Sequence, residues 1–233
     1  MIVVRHKSSK LNEASVQGLD KTWIKADGTA VDMELVKTVL EAVIQDLGVN
    51  YPSVEYVIKH KDILFTDDPR IQTMATDGVS IFINPAFAEY LINMDEDEGG
   101  LYFEFVIIHE ALHVLFDHCY KHSMSSDRFS DDEKVNMAQD YEINFIIENF
   151  LKEGVNYAPF KGVTDKIKGC YNEEFGKKGL TWEEIYDKVP KIERKVVKRP
   201  TSDEFKDGFK DGFDEILADL KKQKLVEHYE IRR

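Results

Sequence analysis

The sequence predicts an α+β fold that is mostly helical, with a small antiparallel sheet ahead of one long central helix. Apolar residues recur at helical spacing in residues 32–48 and 101–120, whereas residues 63–83 alternate strand-like runs with turn dipeptides. Hydrophobic residues make up 42% of the 233 residues. Because that share is ordinary for a globular protein, we expect one large domain with a core of normal size.

The first predicted helix begins after Asp32, whose side chain is a good N-cap, and ends at Gly48. A stripe of apolar residues runs along one side of this helix, which predicts that it packs on the core. The stripe consists of Val36, Val39, Leu40, Val43 and Leu47.

The predicted sheet has three short strands, with a turn signal at residues 67–69 and a strong hairpin signal at Asp77-Gly78. Its last strand could offer an edge to an extended peptide substrate. Pro85 then opens a short helix that we expect to continue through Ile92. The strands are expected at residues 63–66, 71–76 and 79–83.

The central helix, residues 101–120, contains the motif His109-Glu110-Ala111-Leu112-His113. At about 100° per residue, the two histidines lie about 40° apart on one face and one turn from each other. Two imidazoles so placed can bind one zinc ion, and the neighbouring Glu110 can accept a proton from water at the metal. The motif therefore predicts a zinc-dependent hydrolase with Glu110 as general base, most simply a peptidase acting on a peptide or protein substrate.

A tetrahedral zinc site needs a further protein ligand. His118 is the nearest candidate, but in an unbroken helix it lies about 180° from His109, and neither Gly nor Pro predicts a break there. The next predicted helix runs to about residue 151 and offers Asp140, a carboxylate that we favour as the third ligand. The sequence leaves the choice between Asp140 and His118 open.

Two asparagines share a face with Asp140, because Asn136 and Asn144 are each four residues from it. We expect them to hold Asp140 or a histidine N–H by hydrogen bonds. The alternative is that both asparagines lie on a solvated helix face. Glu142 points about 160° away from Asn144 and is predicted to lie on the surface.

Several segments together resemble a family of metallopeptidase domains that, in many bacterial proteins, precede a von Willebrand factor A-like domain. The resemblance implies a zincin-like fold with zinc at the HExxH motif, and an association with MoxR-type AAA+ ATPases. No A-like domain follows here, which weakens the expectation of an ATPase partner. The resemblance is carried by residues 74–78, 81–87, 109–113 with His118, and 136–144, and more weakly by 180–186.

The C-terminal residues differ in composition from the rest, so we expect a zincin-like metallopeptidase domain at 1–190 and a basic linker with an amphipathic helix at 191–233. Residues 188–200 carry six basic side chains against one acidic, and phenylalanines recur at every fourth position in residues 205–213. Both segments could contact a partner. An alternative function is therefore a non-catalytic metal-binding adaptor that acts with an AAA+ ATPase or another protein.

Charge and composition exclude several classes of protein. The net charge of −13 argues against nucleic-acid binding, and two cysteines do not make a disulfide framework. The N-terminus has no apolar segment typical of a signal peptide, and no apolar run approaches the length of a membrane span. We therefore expect a cytoplasmic protein that does not enter the membrane. The simplest competing interpretation is a helical domain whose histidines are buried without a metal.

Overall fold

The computed structural model describes residues 16–94, 100–123, 127–150 and 160–190, and these form a mostly helical α+β structure, as predicted. The elements, in chain order, are β1 Val16–Gln17, α1 Met33–Asn50, α2 Pro52–Lys59, β2 Asp62–Phe65, β3 Met74–Thr76, β4 Ser80–Ile83, α3 Pro85–Asn93, α4 Leu101–Leu115, α5 His118–Ser123, α6 Asp132–Phe150, α7 Val163–Ile167, α8 Glu173–Lys177 and α9 Trp182–Tyr186.

Among the described residues, 16–23 and 30–190 belong to one compact unit and 24–29 belong to a second. All elements listed above belong to the first unit. The Phe repeat and the basic run beyond residue 190 lie outside the described residues, and the predicted boundary at residue 190 stays a prediction. Within the described part of the chain, no helix is long and apolar enough to span a membrane.

The sheet is mixed, so the prediction of an antiparallel sheet is wrong. In the strand order β1-β2-β4-β3, the first two pairings are parallel and only β3 and β4 run antiparallel. The connection after β2 passes to the far side of β4, so that β2 pairs with β4 rather than with the strand that follows it. The predicted hairpin at Asp77-Gly78 is confirmed, with Gly78 at a φ of 85°.

The position of β4 also changes which strand has a free edge. β4 lies between β2 and β3 and pairs with both, so the prediction that residues 79–83 offer an edge to substrate is wrong. Among the described strands, the edges are β1 and β3. Of the predicted strand at 71–76, only Met74–Thr76 forms a strand. This short strand is the sheet edge that contacts α4.

The N-terminal helices support the sheet. Asp32 caps α1 as predicted, because its Oδ1 accepts a hydrogen bond from Leu35 N at 3.0 Å. The helix continues through Gly48 to Asn50, two residues beyond the predicted end, and Pro52 then opens α2. α2 has no counterpart among the predicted helices, because its eight residues are too few for a clear helical period.

The central helix ends at Leu115 rather than at residue 120, which corrects the prediction of an unbroken helix. Phe116 N–H bonds to Leu112 O at 2.9 Å, and Asp117 then takes the left-handed conformation at φ 61°. Asp tolerates this conformation better than most residues because its short polar side chain can bond locally. The chain therefore turns, and α5 begins at His118 in a new direction.

The last long helix, α6, separates two hydrophobic clusters. Its Ile143 and Ile147 belong to the main core with the sheet and α4, whereas Val135 and Tyr141 belong to a second cluster with Trp182 of α9. Packing on both sides fixes the rotation of α6 about its axis. The polar side chains between the two apolar faces are thereby held against α4.

The left-handed Asp117 leads to a stability prediction. Replacing Asp117, which is exposed, by a β-branched Val should lower the free energy of unfolding by about 1–2 kcal/mol, whereas Asp117→Gly should not lower it. Urea denaturation measures both. Glu41→Val on the exposed face of α1 is the control, with an expected loss of about 0.5 kcal/mol from helix propensity. Equal losses for Asp117→Val and Glu41→Val would contradict the left-handed break.

Candidate metal centre

The two motif histidines lie on the side of α4 that faces α6. Their ring centroids are 4.8 Å apart, and their Nε2 atoms are separated by only 3.1 Å. The same helix carries the buried apolar side chains of Phe105, Ile108 and Leu112. The helical spacing of the motif therefore brings two ring nitrogens to one point at the edge of the core.

Asp140 meets these nitrogens from α6. Its Oδ1 lies 3.4 Å from His109 Nε2 and 3.2 Å from His113 Nε2. Four ligands at about 2.0–2.1 Å around a tetrahedral zinc are about 3.3 Å from one another. The three observed separations match the edges of such a tetrahedron, so this donor set fits a zinc-sized ion. We call His109, His113 and Asp140 the His–His–Asp site.

Hydrogen bonds support two members of the site from behind. His109 Nδ1 lies 2.8 Å from Asn144 Oδ1, and Asn144 Nδ2 donates to Cys170 O at 2.8 Å. Because the Cys170 carbonyl can only accept, the Asn144 amide must turn its nitrogen to Cys170 and its oxygen to His109. Asn136 Nδ2 donates to Asp140 Oδ2 at 3.2 Å. Both asparagines thus contact the residues that the sequence analysis assigned to them.

His118 lies on the other side of His113, at 3.1 Å between the two Nδ1 atoms. The prediction that it lies across the helix is wrong, because the chain turns at Asp117 and brings it back. It is not one of the three converging residues, since it contacts the ring edge of His113 that faces away from Asp140. Glu142, predicted to lie on the surface, has a side chain only 22% exposed, with Oε2 3.7 Å from His118 Nε2.

Comparison with known families matches residues 61–217 to a family described as a putative metallopeptidase domain. The chain belongs to this family. The match includes α4 and α6, and with them every residue of the His–His–Asp site. Family membership supports a metal-dependent hydrolase in general terms. Neither the curated proteins nor the solved structures gave a match, so the zincin-like architecture stays a prediction.

The site concentrates charge in a buried place, and the side chains shift one another's acidity. Burial alone would lower the pKa of His109, but the hydrogen bond and charge of Asp140 raise it to about 9. Burial lowers the pKa of His113 despite the same carboxylate. Burial raises the pKa of Asp140, whereas the hydrogen bonds and charges of the two histidines lower it. The effect of the histidines is larger, so the pKa is lowered and the carboxylate stays charged. Near neutral pH these shifts favour a protonated His109 beside the charged Asp140.

The side chain of Glu110 is buried, with the residue only 7% exposed, although glutamate is usually charged and found at the surface. Burial raises its pKa to about 7; the charge of His109 opposes this shift and that of Asp140 adds to it. A carboxylate with such a pKa exchanges protons readily near neutral pH. The role of general base that the motif predicts for Glu110 stays a prediction.

An open cleft of ≈ 330 Å³ lies beside α6. Asp140 is the member of the His–His–Asp site that lines it. Cys170 lines the cleft, and its carbonyl accepts from Asn144. No sequence motif marks this residue, so neither role could be predicted. The cleft is lined by Asp132, Glu133, Asn136, Met137, Asp140 and Cys170.

The raised pKa of His109 predicts how metal affinity depends on pH. Below about pH 9 the ring must lose its proton to bind zinc, so the affinity should rise about tenfold per pH unit between pH 6.5 and 8.5. The same proton stabilises the ion-free fold fully below about pH 6.5, and this stabilisation is lost as pH rises through about 9. Competition with a chromophoric chelator measures the affinity.

Asp140→Asn is the control for this prediction. Removing the carboxylate should move the pH-dependent range downward, because the negative charge beside His109 is what raises the pKa. A zinc affinity of the wild-type chain that is constant between pH 6.5 and 8.5 would show that no proton is displaced from the site.

Proposed function

We propose that this chain is a zinc-dependent metallopeptidase in which His109, His113 and Asp140 hold the ion and Glu110 is the general base. The observation that carries the proposal is the convergence of two imidazole nitrogens and one carboxylate oxygen at 3.1–3.4 Å from one another, beside a buried glutamate. Family membership supports hydrolysis of a peptide bond. A bound zinc ion would supply Lewis-acid chemistry, polarising a carbonyl and making water a better nucleophile.

Glu110 performs the proton transfers in this proposal. It follows His109 directly on α4, and it is held in a buried position that keeps its pKa near 7. It can therefore take a proton from the attacking water and return it to the leaving amine at neutral pH. Asp140 keeps its charge under the same conditions, which leaves the two carboxylates with different roles.

We infer that an extended segment of substrate adds to β3. Asn84 N donates to Thr73 O at 2.9 Å, and Asp77 N donates to Ser80 O at 3.4 Å. Since hydrogen-bonded positions alternate along an antiparallel pair, the main-chain groups of Met74 and Thr76 point away from β4. Of these groups, the N–H groups of Met74 and Thr76 are the ones that a peptide strand would use, since the Met74 carbonyl already accepts from Thr73 Oγ1 and the Thr76 carbonyl from Cys119 Sγ.

β3 contacts α4, the helix that carries Glu110. Cys119 Sγ donates to Thr76 O at 3.5 Å, which joins α5 to the outward edge of β3. Burial raises the pKa of the Cys119 thiol, and the charge of Glu110 adds to that shift. A peptide bound along β3 would therefore pass near α4.

The partnership with a MoxR-type AAA+ ATPase stays a prediction. The segments that would provide its contact surface, the basic run beyond residue 190 and the Phe repeat, lie outside the described residues. The adaptor alternative differs from the peptidase in one measurable respect, because an adaptor would bind the ion without turning over any substrate.

The general base gives the sharpest test. Glu110→Gln in the full chain should lower peptide cleavage by about 100-fold or more, since general-base catalysis contributes about 10²–10⁴. The zinc affinity should change by no more than about threefold, because Glu110 is not among the converging ligand atoms. Mass spectrometry of a broad peptide library with zinc-loaded protein measures cleavage.

Glu41→Gln, the same substitution at an exposed position of α1, is the matched control and should leave cleavage unchanged. Wild-type protein that binds zinc and cleaves no peptide would refute the peptidase and favour the adaptor. Equal cleavage by wild type and Glu110→Gln would refute the assignment of the base.

A further inference from the structure

His118 is a buried imidazole that the proposed mechanism does not use. It is 1% exposed and is the first residue of α5, directly after the left-handed Asp117. Its Nδ1 lies 3.1 Å from Nδ1 of His113, and the two rings meet edge to face at 76°. A residue placed so closely behind a predicted ligand can control how that ligand is oriented.

The metal site determines which of the two rings donates the hydrogen bond between the Nδ1 atoms. His113 Nε2 is the atom that faces His109 and Asp140, so its lone pair is the one that would hold a bound ion. A neutral imidazole carries one proton, and in His113 that proton must then be on Nδ1. His118 Nδ1 can therefore only accept, and the proton of a neutral His118 is on Nε2.

The surroundings of His118 suit this assignment. The atom that carries its proton, Nε2, lies 3.7 Å from the Glu142 carboxylate, a distance that gives electrostatic attraction without a hydrogen bond. Phe116 and Trp182 flank the ring at 5.7 and 6.4 Å between centroids. These aromatic walls exclude water, which would otherwise compete as the acceptor for His113 Nδ1–H.

We propose that His118 is a positioning residue that accepts the Nδ1–H of His113 and so fixes the ring and tautomer of this ligand. The inference rests on the metal site of the proposed function. It gives His113 the counterpart of what Asn144 gives His109, where an amide oxygen lies 2.8 Å from the ring nitrogen. Each histidine of the site would then be held by an acceptor from outside α4.

The first experiment measures zinc affinity by chelator competition on the full chain. His118→Leu removes the acceptor with little loss of volume and should weaken zinc binding about 10- to 100-fold. His118→Asn places an amide oxygen near the former Nδ1 and should restore the affinity to within about threefold of wild type. His60→Leu, at a histidine exposed beyond α2, is the control and should leave the affinity unchanged.

Rescue by Asn separates positioning from a merely structural role, because the loss of a buried ring would not be repaired by an amide. If His118→Leu, correctly folded by circular dichroism, binds zinc as tightly as wild type, the proposal is overturned. Equal weakening in His118→Asn and His118→Leu would overturn it too.

A second experiment needs no variant that must fold. Long-range ¹H–¹⁵N NMR of the zinc-loaded wild-type chain identifies the tautomer of each imidazole. The expected result is a proton on Nδ1 of His113 and on Nε2 of His118; a proton on Nδ1 of His118 would refute the assignment. Zinc-loaded protein that cleaves nothing would refute the peptidase but not this inference, since neither readout depends on turnover.

Discussion

The structure depends on the packing of α4 against α6, which places two imidazoles opposite one carboxylate away from bulk water. Burying a charge costs several kcal/mol unless a partner of opposite sign is within reach. Asp140 is paired by Nε2 atoms at 3.2 and 3.4 Å, so the site is stable only while a positive charge is near these three groups. The two hydrophobic clusters on either side of α6 provide the packing that keeps this distance fixed.

The polar groups behind the site connect it to the segment that follows α6. Glu148, buried on α6, accepts hydrogen bonds from Gly162 N at 3.0 Å and Thr164 N at 2.8 Å. These bonds anchor the start of α7, and the chain then continues to Cys170, whose carbonyl orients the Asn144 amide. Glu148 and Asn144, one turn apart on α6, therefore hold the start and the end of this segment. The hydrogen-bond network that positions His109 thus joins residues that lie far apart in sequence.

Local periodicity was enough to predict the parts of the site that lie within single helices. The spacing of His109 and His113 is a property of α4 alone, and the four-residue spacing of polar side chains around Asp140 is a property of α6 alone. To bring the two sets together, it was enough to assume that α4 and α6 pack against each other. The mixed sheet could not be predicted in this way, because the strand that pairs with β2 is chosen by the path of a connection rather than by residue alternation.

The missed helix break has a different origin. A helix usually ends at Gly or Pro, but here Asp117 adopts the left-handed conformation, and Asp is common inside and outside helices alike. Nothing in the periodicity of residues 101–120 marks this position. Because the break brings His118 to His113 and Glu142, a single backbone angle separates the predicted position of these side chains from the observed one.

The two histidines shift in opposite directions although they share one carboxylate. Burial lowers the pKa of His113, and the charge of His109, 3.1 Å away between the nitrogens, adds to this shift. At His109 the hydrogen bond and charge of Asp140 outweigh burial, so the pKa of this ring rises. A positive charge is therefore favoured beside Asp140, supplied by a proton on His109 or by an ion. Since either would offset the same carboxylate, and since the three groups already lie 3.1–3.4 Å from one another, the geometry favours exchange of a proton for an ion over a rearrangement of α4 and α6.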